Sequence, residues 1–174
     1  MEKRLVTIKG ISPLLMHRFP LAESEAFEKW LPEAKAEWVA YRDVTTQELY
    51  IPGTNLQRSL ISAAAYSKGK GRGNLVRTAA AALFVSPEVL LLGVKEYIID
   101  VRIVTNPVTK GRHPRHRPRL DTWQVTFMIE WDETLLTEKQ VREIVDNAGQ
   151  RVGILDFRPE KKGPFGRFMV TEWK

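Results

Sequence analysis

A strict alternation of apolar and polar residues runs from residue 123 to residue 131, and it constrains the fold more than any other feature of the chain. The apolar positions are Trp123, Val125, Phe127, Ile129 and Trp131, and the intervening ones are Gln124, Thr126, Met128 and Glu130. Successive side chains of a β-strand point to opposite faces of the sheet. The pattern therefore predicts a strand with one face in the core and the other turned to solvent.

A helix is predicted directly after this strand. Thr137 and Gln140 have the spacing of a capping box, in which each side chain bonds the other residue's free backbone N–H. The positions predicted to face the core are Val141, Ile144, Val145 and Ala148. Gly149 is expected to end the helix.

The remaining elements complete a βαββαβ order. Strands are predicted over residues 4–10, 48–51, 94–104 and 167–173, and helices over residues 23–31, 54–64 and 74–84. Pro32 is expected to close the first helix, and Thr54 or Asn55 to cap the second. The main elements, with 94–104 and 123–131 as the two middle strands, follow the order of a ferredoxin-like or RRM-like α+β fold. We expect one domain spanning residues 1–174, with an insert at about residues 105–121.

Three basic segments that carry glycine or proline lie far apart in the chain. They read KGKGRG at 68–73, KGRHPRHRPR at 110–119 and GILDFRPEKKGPFGRF at 153–168. Glycines allow backbone N–H groups to approach a phosphate, and aromatic residues interleaved with cations are typical of single-strand binding. We predict that the three segments converge on one side of the sheet as a trough for a polynucleotide. The plainer alternative for the second and third segments is a solvated surface loop or hairpin tip.

Composition excludes several classes of function. The chain has a formal net charge of +6, three histidines and no cysteine, so no disulfide framework or thiolate zinc site is expected. His113 and His116 are flanked by arginines, which would repel a metal cation, and we predict neither metal nor cofactor. No apolar run approaches the length of a membrane span. These features predict a soluble, cytoplasmic protein with a polyanionic partner.

A resemblance to a known family rests on three motifs. The segment 41–57, YRDVTTQELYIPGTNLQ, resembles the arginine-aspartate turn and tyrosine-isoleucine-proline-glycine motif of RAMP-superfamily proteins, the RRM-like backbone subunits of CRISPR effector complexes. Residues 114–127 are similar to their proline-arginine hairpin, and residues 163–168 to their C-terminal glycine-rich loop. The chain departs from the family at Gln57 and Arg58, where lysine and glycine are common.

The resemblance implies an RRM-like palm with an inserted hairpin as its thumb. Such subunits stack head to tail along a guide RNA in an antiviral ribonucleoprotein, so the implied partners are guide and target RNA, further copies of the chain and other effector subunits. The residues predicted to contact nucleic acid are His17, Arg18, Asn55, Gln57, Arg58, Lys68, Lys70, Arg72, Lys110, Arg112, Arg115, Arg117, Arg119, Arg158, Lys161, Lys162, Phe165 and Arg167.

Two residues are candidates for catalysis. Glu37 stands five residues before Arg42, where some members of the superfamily carry an aspartate that cuts target RNA, but its flanking sequence matches poorly and we expect no cleavage there. His17 has the side chain of a general base for metal-independent RNA cleavage. The alternative is a histidine that only contacts phosphate or solvent.

The leading hypothesis is a non-enzymatic subunit that binds single-stranded nucleic acid, with guide RNA held in a filament of repeated subunits. Two alternatives stay open. One is a metal-independent ribonuclease of the same superfamily that uses His17. The other is a phage single-strand-binding or assembly protein.

Overall fold

The computed structural model describes residues 1–19, 27–69 and 73–174. The strands are β1 (Glu2–Gly10), β2 (Leu14–Leu15), β3 (Tyr50–Pro52), β4 (Leu83–Ser86), β5 (Val89–Leu91), β6 (Ile98–Thr105), β7 (Arg112–Leu120), β8 (Gln124–Trp131) and β9 (Phe168–Trp173). The helices are α1 (Pro32–Trp38), α2 (Gly53–Ala63), α3 (Val76–Ala82) and α4 (Glu138–Asn147). In these ranges no helix has both the length and the apolar character needed to cross a bilayer.

The main sheet is antiparallel and has the strand order β4-β8-β1-β9. In chain order, its elements run β1, α2 with α3, β4, β8, α4 and β9. This is the split βαβ arrangement of the ferredoxin-like fold, so the predicted fold class is confirmed. A second sheet, β2-β7-β6, and the pair β3-β5 are additions to it.

The core lies between one face of the main sheet and the helices α2 and α4. The predicted alternation in β8 is confirmed, because Val125, Phe127, Ile129 and Trp131 are all buried. The capping box of α4 is also confirmed: the Gln140 N–H donates to the Thr137 hydroxyl, and the Thr137 N–H donates to the Gln140 side chain. The predicted apolar face of that helix is buried as expected.

The second strand of the main sheet is not the predicted one. Leu83 and Phe84 were predicted to end a helix, yet residues 83–86 form β4, which pairs with β8 from Leu83↔Trp131 to Ser86↔Met128. Pairing with β8 and burial of Leu83 outweigh the helical preference of the preceding alanines. The strand predicted at 94–104 is β6, and it belongs to the inserted hairpin.

Several predicted helix boundaries are wrong. Residues 20–26, part of the helix predicted at 23–31, lie outside the described residues, and Pro32 begins α1 instead of closing a helix. Helix α2 begins at Gly53 without a side-chain cap. Gly149 does not end α4, since a π-helical turn continues to Val152. A Cβ on Gly149 would lie 2.1 Å from the Phe168 carbonyl oxygen, so this glycine permits close packing of β9.

The insert was predicted at about residues 105–121. In the structure it is the hairpin β6–β7, which begins earlier, at Ile98. The two prolines of β7 fit a strand because their backbone nitrogens, which carry no hydrogen, face away from β6. The Pro118 carbonyl oxygen accepts from the Met16 N–H on the β2 side, and Pro114, four residues earlier, points the same way. One face of β6 is open toward the tip of the hairpin, where Val101 and Ile103 are exposed.

Candidate nucleic-acid interface

Four segments meet beside the C-terminal end of β1. They are the end of β2, the start of α2, the base of the hairpin β6–β7 and residues 153–168, here called the glycine-rich loop. Backbone hydrogen bonds tie the loop to the β2 segment. The Asp156 N–H donates to the Leu15 carbonyl oxygen at 3.0 Å, and the Gly166 N–H donates to that of Pro13 at 2.8 Å. The Leu155 N–H donates to Asn55 Oδ1 on α2 at 3.0 Å. The loop is thereby fixed against two other elements.

An ion pair joins the loop to the hairpin. The Arg117 guanidinium, whose side chain is 6% exposed, donates to Asp156 Oδ2 at 2.5 Å. On the same face of the hairpin, the Arg102 guanidinium lies 4.8 Å from the ring centroid of Phe165. A buried guanidinium needs such a partner, because an unpaired charge is costly to desolvate. Two of the three predicted basic segments are therefore in direct contact.

The backbone of the glycine-rich loop is strained and turned inward. Three non-glycine residues, Leu155, Phe157 and Lys162, have positive φ, a conformation that costs L-residues about 1 kcal/mol or more each. A Cβ on Gly166 would lie 2.0 Å from the Ile154 carbonyl oxygen. The N–H groups of residues 154–156 all bond protein acceptors. The expected cradle of free N–H groups is thus not formed there, and this glycine serves to fold the loop on itself.

Phe165 cannot act as an open stacking surface in this packing. Its side chain is buried, with Phe157 at a centroid distance of 5.9 Å and Arg102 over the ring. The two aromatic residues that suggested base stacking therefore contact each other and stabilise the loop. The exposed cations of this segment are Lys161, Lys162 and Arg167.

His17 lies at the junction of β2 and the hairpin. Arg115 NH1 is 2.9 Å from His17 Nε2, and because a guanidinium can only donate, Nε2 accepts and the proton lies on Nδ1. Burial is the main cause that lowers the pKa of His17; Arg115 and Arg117 lower it further, and Asp156 opposes them. The imidazole is therefore neutral at pH 7, and the lone pair that a general base would need is occupied by Arg115.

The hairpin cations divide into bonded and exposed groups. Arg119 bonds Asp100 at 3.2 Å and Asp121 at 2.8 Å, so it braces the hairpin base. Arg115 is exposed while it contacts His17. Lys110 and Arg112 are exposed near the turn at residues 106–111. The outer part of the hairpin thus presents cations that an anionic strand can reach.

The other predicted contact residues are more scattered. Gln57 donates its side-chain amide to the Leu83 carbonyl oxygen, toward β4. Arg18 donates to the Trp38 carbonyl oxygen at 3.2 Å, and Arg158 bonds Glu160 at 2.6 Å. Arg58 and Lys68 are exposed. Lys70 and Arg72 lie outside the described residues.

A small cavity of about 140 Å³ opens where these segments meet. Its lining residues are His17, Tyr41, Asn55, Leu155, Asp156 and Arg158. Sequence reasoning missed Asp156, although a lone aspartate in a basic, glycine-rich loop is an unusual feature that could have drawn notice. It also treated Tyr41 only as part of a motif.

Glu37 lies in a separate, shallow depression of about 470 Å³ that shares no residue with that cavity. It bonds Arg42 at 2.5 and 2.9 Å and accepts from the Tyr97 hydroxyl at 2.9 Å. The hydrogen bond from Arg42 is the main cause that lowers the pKa of Glu37, and burial with the Glu37 contact raises that of Tyr97 to about 12. Over the described ranges, no three acidic or histidine side chains are grouped as metal ligands would be.

Fold and site together define a ferredoxin-like α+β protein with a long inserted hairpin and a basic, polar junction at the hairpin base. No protein-family model matches the chain. No curated protein sequence matches it either.

Among solved structures, the chain is similar to one in the cryo-EM structure of the Type III-B Cmr-beta bound to cognate target RNA. The TM-score is 0.58 at 11% sequence identity, over 99% of this chain and 60% of that chain. Our chain therefore spans about 60% of the length of this neighbour. At this identity the similarity establishes the fold alone.

Proposed function

We propose that this chain is a non-enzymatic, CRISPR-associated subunit that binds single-stranded RNA along its backbone. The observation that carries the proposal is the junction of the hairpin with the glycine-rich loop through Arg117–Asp156 and Arg102–Phe165. This junction holds two basic segments in one fixed arrangement, through contacts that are 39 positions apart in sequence for Arg117–Asp156 and further apart for Arg102–Phe165. Exposed cations on both sides of it suit a polyanion.

The likeness to a chain of an RNA-bound CRISPR complex supports the same reading. In our proposal the chain holds a guide RNA, and copies of it repeat along that RNA beside other effector subunits. The exposed part of the hairpin, with Lys110, Arg112 and Arg115, would follow the strand together with Lys161 and Lys162 of the loop. Most of the contacts would be to phosphate, so binding would depend little on sequence.

Salt dependence of binding tests the proposal. Each phosphate contact to a single strand contributes about 0.7 to the slope of log affinity against log salt. In a filter-binding titration with single-stranded RNA, we expect the wild-type slope of log affinity against log salt to correspond to several phosphate contacts. Arg112→Ser should lower the slope by about one contact, whereas Lys139→Ser should not.

Lys139 is a matched control because it removes the same charge elsewhere. It is exposed on the first turn of α4, where Glu138 bonds Arg4 near the start of β1. The glycine-rich loop contacts the chain just after the other end of β1, where the Ile11 N–H donates to the Arg167 carbonyl oxygen. A wild-type slope near zero would overturn the electrostatic proposal. Electron micrographs with and without RNA test assembly, since filaments of regular rise should form only when RNA is present.

A further inference from the structure

The cavity beside His17 has the wrong chemistry for a phosphate. Asp156 contributes a carboxylate to its lining, and like charge would repel a phosphate oxygen from that wall. Only Asp156 Oδ2 is occupied, by Arg117, and Oδ1 accepts no hydrogen bond from any other described residue. The Asp156 side chain is 32% exposed, so a ligand can reach this free oxygen, which accepts best from a donor that carries no negative charge.

The lining includes one cation, Arg158, but its guanidinium is bonded to Glu160 and to the Leu155 carbonyl oxygen. Neutral polar groups complete the lining. The Oδ1 atom of Asn55 accepts from the Leu155 N–H, which leaves both N–H groups of its side-chain amide to donate. The hydroxyl of Tyr41 has no side-chain hydrogen bond within the described ranges, and this residue also lines the cavity. The wall thus offers an acceptor beside neutral donors, which suits a hydroxylated ring.

The size and position of the cavity limit the kinds of ligand that it can bind. The volume of about 140 Å³ is enough to hold one ring such as a sugar. The cavity lies at the base of the hairpin, where the proposed strand would pass between exposed cations. A sequence-independent binder meets a sugar at every nucleotide, so the sugar is the ring that such a site can always engage.

We infer that this cavity binds the ribose of one nucleotide, with its 2′-hydroxyl donating to Asp156 Oδ1 and a sugar oxygen accepting from the Asn55 amide. This inference rests on the proposed function and adds a residue basis for choosing RNA over DNA. A 2′-hydroxyl is the group by which proteins distinguish the two polymers. Deoxyribose would leave the carboxylate oxygen desolvated and without a partner.

The test compares oligouridylate with oligodeoxyuridylate of the same length, since these differ only at the 2′ position. Wild type should bind the RNA about tenfold more tightly for each engaged ribose, as expected for a hydrogen bond to a charged acceptor. Asp156→Asn should reduce this ratio several-fold. Its affinity for the DNA should hold or rise, because a negative charge has been removed from a basic surface.

Asp121→Asn is the matched control. Asp121 also bonds an arginine of β7, Arg119, but it does not line the cavity. This variant removes the same charge beside an arginine of the same strand, and Arg119 keeps its bond to Asp100. It should therefore raise affinity for both polymers and keep their ratio. An equal loss of the ratio in both variants would show a general charge effect and overturn the inference.

A second variant avoids the ion pair. In the inferred complex the Tyr41 hydroxyl donates to the 2′-oxygen, so Tyr41→Phe, which leaves Arg117–Asp156 intact, should also lower the ratio. Equal wild-type affinity for the two polymers, or an unchanged ratio in both Asp156→Asn and Tyr41→Phe, would overturn the inference while leaving the proposed function standing. No binding of either polymer would overturn the proposed function and the inference with it.

Discussion

Gly166 and Gly93 form a natural pair for testing how the glycine-rich loop is held. Their backbones have nearly the same positive φ, +71° and +70°. A Cβ on Gly166 would lie 2.0 Å from the Ile154 carbonyl oxygen, whereas a Cβ on Gly93 would meet nothing within 4 Å. Alanine at the two positions therefore shares the cost of φ and differs in the clash.

The magnitude follows from these two contributions. An alanine at positive φ costs about 1 kcal/mol, and we expect Gly93→Ala to lose that amount of unfolding free energy. At Gly166 the obstacle is backbone, which cannot rotate away, and overpacking of this kind adds about 1 to 3 kcal/mol. The Ile154 N–H also donates to the Gly166 carbonyl oxygen at 3.0 Å, so displacement would weaken that bond too. Gly166→Ala should lose about 2 to 4 kcal/mol.

Urea unfolding followed by tryptophan fluorescence measures both losses. The midpoint should fall for each variant with an unchanged m-value, and fall further for Gly166→Ala. In thermal unfolding of a chain this size, each kcal/mol corresponds to roughly 2 to 4 °C. RNA affinity should fall for Gly166→Ala and stay at the wild-type value for Gly93→Ala. Equal stability of the two variants would refute the account of the loop as a segment folded tightly on itself.

Three further predictions concern other sites. Because the pKa of Glu37 is lowered, the Glu37–Arg42 contact stabilises the protein fully at pH values above 4.5, the usual pKa of a glutamate, and this stabilisation is lost as the pH falls below that value. Lowering the pH should therefore reduce the unfolding free energy of wild type more than that of Glu37→Gln. An equal reduction in the two proteins would contradict this prediction. Labelled RNA incubated with wild type in EDTA should remain intact, and cleavage that disappears in His17→Ala would favour the ribonuclease alternative. Thr137→Ala should lower the unfolding free energy by about 1 kcal/mol in urea titrations, since it removes the capping box, and an unchanged midpoint would argue against that role.

The sequence predicted the fold where a local pattern had one solution. The alternation in β8 and the capping box of α4 are such patterns, and each is found where it was expected. The prediction failed at β4, because the alanine-rich run favoured extending the helix through Phe84, whereas these residues form a strand by pairing with β8. At β6 the predicted strand is present, but it belongs to the inserted hairpin and not to the main sheet.

The candidate site was less predictable, for a physical reason. A basic residue in sequence gives no sign of whether an acid will lie beside it after folding. Arg117 and Arg119 are both paired with aspartates, one of them 39 positions away, while Arg112 on the same strand stays exposed. The cavity depends on contacts between α2, the end of β2 and the loop, none of which a local pattern specifies.

The two prolines of β7 affect more than the strand that contains them. Strand β2 covers only the last two positions of the outer edge of β7, and Pro114 lies beyond that cover without an N–H to offer. An incoming extended chain would find an interrupted row of donors there, which discourages sheet growth from one molecule to the next. Where many copies are crowded along one polymer, the interrupted edge therefore disfavours pairing between the hairpins of adjacent molecules.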